Sequence, residues 1–346
     1  MRARAVALLT GALLAACGGG ETFRAERLLA MGTWVELAIA APDDATGARL
    51  VAEIETFLRG FERDYYAWSP DGELARLNRG LVRGESVRVD PALAALLRAA
   101  QRYGAASGGA FEPAVGELVE LWGFHSTEAA PTRPPDPASI EAWLRRDARI
   151  RNLAIDESGS VSLARGEPMK LDLGGVAEGE VVNRIIDILR AAGVENALVN
   201  AGGDLRVLGT RDGRPWRIGI QAPRARGVLG IVELASGEAA FTSGDYQRFY
   251  EFEGRRLHHI IDPSTGYPVT HTQAITVIAA DGVQADVAAT ALLVAGPERW
   301  EAVAQALGVD KALRVDASGR VELTAPMRDR LQAGIDASSD IIVVGP

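Results

Sequence analysis

Cysteine is nearly absent from the chain, which carries only Cys17. No disulfide can form within it, so stability has to come from a packed core. With that one thiol in the N-terminal segment, Cys-based zinc sites and thiol catalysis are excluded. Histidine is scarce, at four residues, and arginine greatly outnumbers lysine. The net charge of −9, without any dense basic run, argues against a nucleic-acid partner, because phosphate-backbone binding needs clustered Lys and Arg. No apolar run after residue 20 is long enough to span a bilayer. The G-x-G-x-x-G fingerprint at a strand–helix junction, the phosphate-binding P-loop and the G-x-S-x-G elbow are all missing. Support for dinucleotide, P-loop and elbow-type serine hydrolase chemistry goes with them.

The N-terminus has a clear pattern. Arg2 and Arg4 precede a short apolar stretch, residues 5–16, that ends in Leu14-Ala15-Ala16-Cys17. That is signal-peptide architecture, and it resembles a bacterial lipobox, with cleavage before the cysteine and lipid on Cys17. Gly18-Gly19-Gly20 then reads as a flexible leader. The 47% hydrophobic content suffices for a sizeable core in one large domain or two lobes.

Periodicity predicts one strand over residues 25–40 with Met31-Gly32-Thr33 at its centre. It predicts helices over 45–63, 91–107 (capped by Asp90), 137–146, 176–192 (stopped by Gly193) and 284–295. Residues 128–137 read as a loop. Residues 197–279 are β-rich, with strand candidates at 197–200, 205–208, 216–221, 230–234, 248–253, 257–261 and 274–279. Further strands are expected at 312–315, 321–323 and 341–344. Helices and strands mix without regular alternation, which favours an α+β fold.

Several segments carry chemistry-bearing residues. Asp286 and Thr290 share one face of an otherwise apolar helix, a hard-oxygen pair suited to Mg²⁺. The bland alternative is an ordinary polar pair. Asp172-Leu173-Gly174-Gly175 opens a helix, where free N–H groups attract anions; it could equally be a helix cap with a tight turn. Residues 200–204 and 242–248 offer glycines, hydroxyls and Arg248, a residue suited to phosphate; either could be a simple turn. Turn chemistry explains Pro263, Gly266 and Pro268 but not the neighbouring His258 and His259. His259 is a candidate base, although a lone histidine by a strand is more often structural.

In chain order, the segments MGTWVEL (31–37), YAWSPDGELARLN (66–78), GGAFEPAVGELVELWGF (108–124), DLGGVAEGEVVN (172–183), NAGGDL (200–205), TSGDYQR (242–248), HHIIDPSTGYPV (258–269) and ADVAATALLVAG (285–296) closely resemble the ApbE family of FAD:protein FMN transferases. The resemblance implies a T-fold-like α+β architecture with two lobes around a flavin-binding cleft. That domain would span residues 25–346, after a signal peptide (1–16) and a lipidated leader (17–24). It implies Mg²⁺-dependent transfer of FMN from FAD to a threonine hydroxyl of a flavoprotein in a membrane redox complex, with release of AMP. Asp286, Thr290 and the Gly175 carbonyl match the metal ligands. Met31, Trp68, Ala110, Phe111, Glu112, Asp172, Glu178 and Ile261 fall where the family contacts FAD. His259 is the candidate for deprotonating the acceptor threonine, with Asp286 contributing. A lipid anchor would hold the protein at the bacterial envelope facing the periplasm, at the inner membrane in preference to the outer. Glu112, Ala114, Glu178 and Trp68 depart from the family's common Asp, Thr, Lys and Tyr. Two other functions remain compatible with the same motifs: an FAD pyrophosphatase giving FMN and AMP, and a non-enzymatic FAD-binding lipoprotein.

Overall fold

A computed structural model describes residues 22–126, 132–333 and 341–344. The signal peptide, Cys17, the glycine leader and part of the 128–137 loop therefore lie outside the described residues. Strands β1 (Arg24–Ala30), β2 (Thr33–Ile39), β3 (Ala197–Ala201), β4 (Asp204–Leu208), β5 (Ala239–Gly244), β6 (Thr272–Ala279), β7 (Lys311–Asp316), β8 (Val321–Thr324) and β9 (Ile341–Val344) make one nine-stranded sheet in that spatial order. Every adjacent pair is antiparallel except β8–β9. Helices α1 (Asp44–Tyr65), α2 (Glu73–Val82), α3 (Pro91–Ala106), α4 (Gly116–Leu121), α5 (Pro137–Leu144) and α6 (Gly174–Ala191) are inserted between β2 and β3, and α7 (Gly282–Ala295) follows β6. The fold is α+β, as the mixed pattern suggests. No helix among the described residues is long and apolar enough to cross a membrane.

The expected single strand over 25–40 is instead a hairpin. Met31 and Gly32 both take positive φ, +53° and +73°, between the paired Ala30 and Thr33. Two left-handed residues give the turn whose twist matches paired strands. Met31 is an unusual choice for such a turn, so alternation ran through it unbroken. The predicted 257–261 strand ends at His258, because residues 259–261 turn away to carry the histidine loop. The helix α2 and the strand β5 were not anticipated.

Alternation along the central strands divides the interior. Ile275, Val277 and Phe241 face α1, α6 and α7, whereas Ala274, Ile278 and Ala240 face a small sheet built from Trp216–Gln221 and Val228–Leu234. A third, aromatic cluster joins Trp122 and Phe124 to Ile140 and Trp143 of α5, to Tyr250, Leu257 and Ile261, and to the edge of Trp68.

Helices α6 and α7 lie side by side on the sheet, and their closest approach is glycine on glycine. A Cβ at Gly179 would sit 2.5 Å from the Gly282 carbonyl oxygen, and one at Gly282 would sit 2.6 Å from that of Gly179. Neither clash could be relieved by a side-chain shift. Gly179→Ala is accordingly expected to cost about 2–3 kcal/mol in thermal or denaturant unfolding, the upper range for overpacking. The control is Gly60→Ala in α1, whose new Cβ would meet nothing within 4 Å. It should be neutral or stabilise by up to about 1 kcal/mol.

Candidate functional site

The α6–α7 contact fixes the first half of the site. Gly175 departs from helical geometry (φ −93°, ψ 20°), which rotates its carbonyl out of line with the helix's regular ladder. The Gly179 N–H, whose regular partner would be that carbonyl, donates to Asp286 Oδ2 at 2.9 Å. One turn on from Asp286, the Thr290 hydroxyl faces Gly175: a Cβ there would lie 3.2 Å from Thr290 Oγ1 and 3.4 Å from Phe111 Cε2. Ser243 Oγ of β5 lies 3.3 Å from Thr290 Oγ1. Asp286 and Thr290 of α7, Gly175 of α6 and Phe111 thus lie together.

Two further carboxyl groups join Asp286. Glu178 comes from the first turns of α6, and Asp204 from the start of β4, where its Oδ1 accepts from the Thr242 N–H at 2.8 Å. Glu178 and Asp204 lie within side-chain hydrogen-bond reach of one another, so the pair favours sharing one proton. Burial pushes all three acids above the usual carboxylate range. The charge of Glu178 pushes Asp204 and Asp286 up further, while the Gly179 N–H opposes the shift at Asp286. Asp286 is 6% exposed and has no cation paired with it among the described residues. A divalent cation fits here on the donor set alone. One buried carboxylate, one hydroxyl and a carbonyl at a non-helical glycine surround space that a side chain at 175 would fill, which suits a cation that leaves its remaining positions to water and phosphate. No group of three or more His, Cys, Asp or Glu among the described residues forms a self-sufficient metal cage.

Histidines occupy the second half. His258, 1% exposed, donates from Nε2 to the Val269 carbonyl at 2.6 Å and accepts the Ile260 N–H on Nδ1 at 3.3 Å. Both nitrogens are spent on folding, and burial holds its pKa down. His259 is different. Its Nδ1 lies 3.2 Å from the Arg248 carbonyl, which can only accept, so Nδ1 carries the ring proton and Nε2 keeps its lone pair. Burial first, then the charge of Arg248 and the neighbouring His258, hold His259 well below its ordinary pKa. The following Asp262-Pro263-Ser264-Thr265-Gly266 turn is architectural: Asp262 Oδ1 accepts from the Ser264 N–H at 2.7 Å, and the Gly266 carbonyl accepts from Trp122 Nε1 at 2.9 Å.

The other expected residues flank these halves. Asp172 caps Gly174 at 2.8 Å, and its carboxyl is pushed up by burial. Met31 tops a hairpin turn beside residues 200–204, where the Gly202 N–H donates to the Trp34 carbonyl. Trp68 is held by its Nε1 on Glu120 at 2.8 Å, and Glu120 also takes Lys170. Ala110 and Ile261 are buried. Glu112 has an internal task, accepting the Ala114 and Ile150 N–H groups at 3.0 and 2.8 Å. Asp204 and Ser243 were not singled out individually, although each lies inside a motif quoted above, and Arg248 was noted there only as suited to phosphate.

The ApbE family's profile matches residues 31–313. A FAD:protein FMN transferase of Rhodobacter capsulatus is 37% identical over 340 residues, covering 95% of this chain and 64% of that longer protein. One of Klebsiella pneumoniae is 34% identical over 284 residues, covering 81% of this chain and 80% of its own. The crystal structure of the ApbE protein of Thermotoga maritima superposes with a TM-score of 0.82 at 31% identity, covering 90% of this chain and 100% of that one.

The strain on Asp286 has a measurable sign. Unfolded, the group ionises near 3.9; folded, it holds its proton to higher pH. Its contribution to stability is therefore full below about pH 4 and is lost as pH rises through the folded value. His259 acts oppositely, costing stability as pH falls below about 6.5. Asp286→Asn keeps an acceptor for the Gly179 N–H and removes the ionisation. Without divalent cations it is expected to raise the unfolding midpoint at pH 7.5 by a few degrees, about 1–2 kcal/mol, with the gain shrinking towards pH 4.5. A lower midpoint at pH 7.5 would contradict this.

Proposed function

Because the chain belongs to the ApbE family, we propose that it is an FAD:protein FMN transferase that joins the FMN half of FAD to a threonine hydroxyl of an acceptor flavoprotein and releases AMP. The observation that carries the reading is a hard-oxygen set (Asp286, Thr290, Gly175) in the same chain as a histidine whose Nε2 is free. Asp286, the Thr290 hydroxyl and the Gly175 carbonyl are the groups that would hold Mg²⁺, which when bound offsets charge on the phosphates.

His259 takes the acceptor's hydroxyl proton on Nε2. The threonine oxygen forms a bond to the FMN-side phosphorus, the bond from that phosphorus to the bridging oxygen breaks, and AMP leaves with the electron pair. The Arg248 carbonyl fixes the ring so that the accepting nitrogen points away from the backbone. Phe124, with its ring centre 6.4 Å away and edge-on, limits how the ring can swing. Phe111, beside Gly175, and Trp68, held on Glu120, would supply aromatic surface for FAD rings. At the N-terminus, lipidation of Cys17 would tether this chemistry to the periplasmic face of a membrane, beside the redox complex that carries the acceptor.

Intact-mass spectrometry tests the activity. A threonine-bearing acceptor domain mixed with the protein, FAD and Mg²⁺ should gain the mass of one FMN. Release of free FMN without acceptor modification would favour the pyrophosphatase, and intact FAD would favour a binding protein. His259→Gln should lower kcat by about 10²–10⁴ with little change in the KM for FAD. An equal loss in FAD affinity would show that His259 binds rather than deprotonates. Cys17→Ser in the full-length chain should move the protein from the membrane to the soluble fraction.

A further inference from the structure

Residues 120–125, a short turn of chain where α4 ends, touch both Trp68 and His259. Glycine sets the shape of that turn. Gly123 takes φ +77°, its N–H donates to the Glu120 carbonyl at 3.0 Å, and the Phe124 N–H donates to the Val119 carbonyl at 3.0 Å. This left-handed stop ends the helix and turns Phe124 into the aromatic cluster that also holds Val119. Before the stop, Glu120 accepts from Trp68 Nε1 at 2.8 Å and from Lys170 Nζ at 2.6 Å. Beyond it, the Phe124 ring stands edge-on to the His259 imidazole, at 6.4 Å and 71°. The His125 ring lies 5.9 Å from that of Trp68. Two hydrogen bonds brace the turn from outside. Trp122 Nε1 donates to the Gly266 carbonyl at 2.9 Å, and the Tyr66 hydroxyl donates to the His125 carbonyl at 2.6 Å. Tyr66 is itself exposed, so its bond serves the turn rather than the core.

We propose that Phe124 positions the His259 ring for proton transfer, and that Tyr66 holds Phe124 in place through the His125 carbonyl. This rests on the transferase reading above, in which His259 takes the acceptor's proton. The Arg248 carbonyl holds the His259 ring at one corner, 3.2 Å from Nδ1, and a ring held at one corner can still tilt. Among the described residues two rings meet it, His258 at 6.5 Å and Phe124. His258 cannot yield, because both of its nitrogens are bonded to backbone. Phe124 is therefore the contact that decides the tilt, and the chain that carries it is tied to Trp68. The spacing between the base and the indole expected to face FAD is thus set by one short turn. A displacement of about 1 Å in such a group can cost about 10²-fold in rate, so the brace on that turn matters. Phe124, itself buried, also brings apolar surface against the imidazole, which penalises the protonated ring. Both residues position; neither touches the reacting atoms.

The test joins steady-state FMN transfer to histidine-resolved NMR of the metal-free protein, with His259→Gln to assign the resonance. Tyr66→Phe keeps its ring against Trp68 and deletes the bond to His125. It should lower kcat about 3- to 10-fold with the KM for FAD unchanged. Phe124→Leu should lower kcat about 10- to 100-fold, again at unchanged KM, and Phe124→Tyr, which keeps an edge-on ring, should recover most of the loss. In Phe124→Leu the His259 resonance should also lose its ring-current shift, and its proton affinity should rise about threefold or more as the ring is uncovered. Arg248 and His258, the charged and titratable groups facing that ring, are the same in every variant, so the rise reports the lost cover. A merely structural role would lower stability and leave the titration where it was. Wild-type kcat in both Tyr66→Phe and Phe124→Leu, or a His259 resonance and titration unmoved in Phe124→Leu, overturns the proposal. The NMR readouts need neither FAD nor acceptor, so a wild type that transfers no FMN would count against the proposed activity alone.

Discussion

Two helices touch where neither has a side chain. Because Gly179 and Gly282 carry no Cβ, α6 can approach α7 closely enough for the Gly179 N–H to reach the Asp286 carboxylate. Gly175 leaves helical geometry one turn earlier, and its bare Cα faces the Thr290 hydroxyl. The sheet contributes Ser243 and Asp204 to the same place only because α7 lies across β5 and β6. If the helices were pushed apart, Gly175 would be drawn away from Asp286 and Thr290.

The electrostatics of the site follow from that packing. Asp286, Asp204 and Glu178 come from three elements and are pressed into an environment that penalises their ionised forms. The protein gains nothing in stability from this arrangement, which is the usual signature of a site shaped for a ligand rather than for folding. Glu178, at a position where the resembling family often has lysine, deepens the negative field instead of relieving it. The opposite charge is supplied from the side by Arg248 on a loop anchored through Asp245.

Much of this was legible in the sequence. Helix α6 was visible as a periodic apolar run that follows Asp172 and stops at Gly193, and α7 as an apolar run on which Asp286 and Thr290 stood out as polar residues. The strand at Trp216–Gln221 and the core strand β6 followed from β-branched, apolar composition. Other features escaped for physical reasons. The turn at Met31 uses a residue rarely placed at positive φ, so nothing local announced it. Strand β5 ends in Thr242, Ser243 and Gly244, a composition that reads as a turn; the pairing of Thr242 with Thr276 makes it a strand. The grouping of Glu178, Asp204 and Asp286 is wholly non-local, and the division of labour between His258 and His259 depends on which carbonyl each ring meets. Neither can be read from spacing.

The central claim is that the carboxylate held at the α6–α7 crossing is a cation site completed by substrate phosphates. The most direct measurement is the thermal unfolding midpoint with FAD present, as Mg²⁺ is added to the wild type and to Asp286→Asn. The midpoint should climb with Mg²⁺ in the wild type, following the logarithm of its concentration above the dissociation constant, and stay flat in the variant. No climb in the wild type, or the same climb in both proteins, would contradict the account.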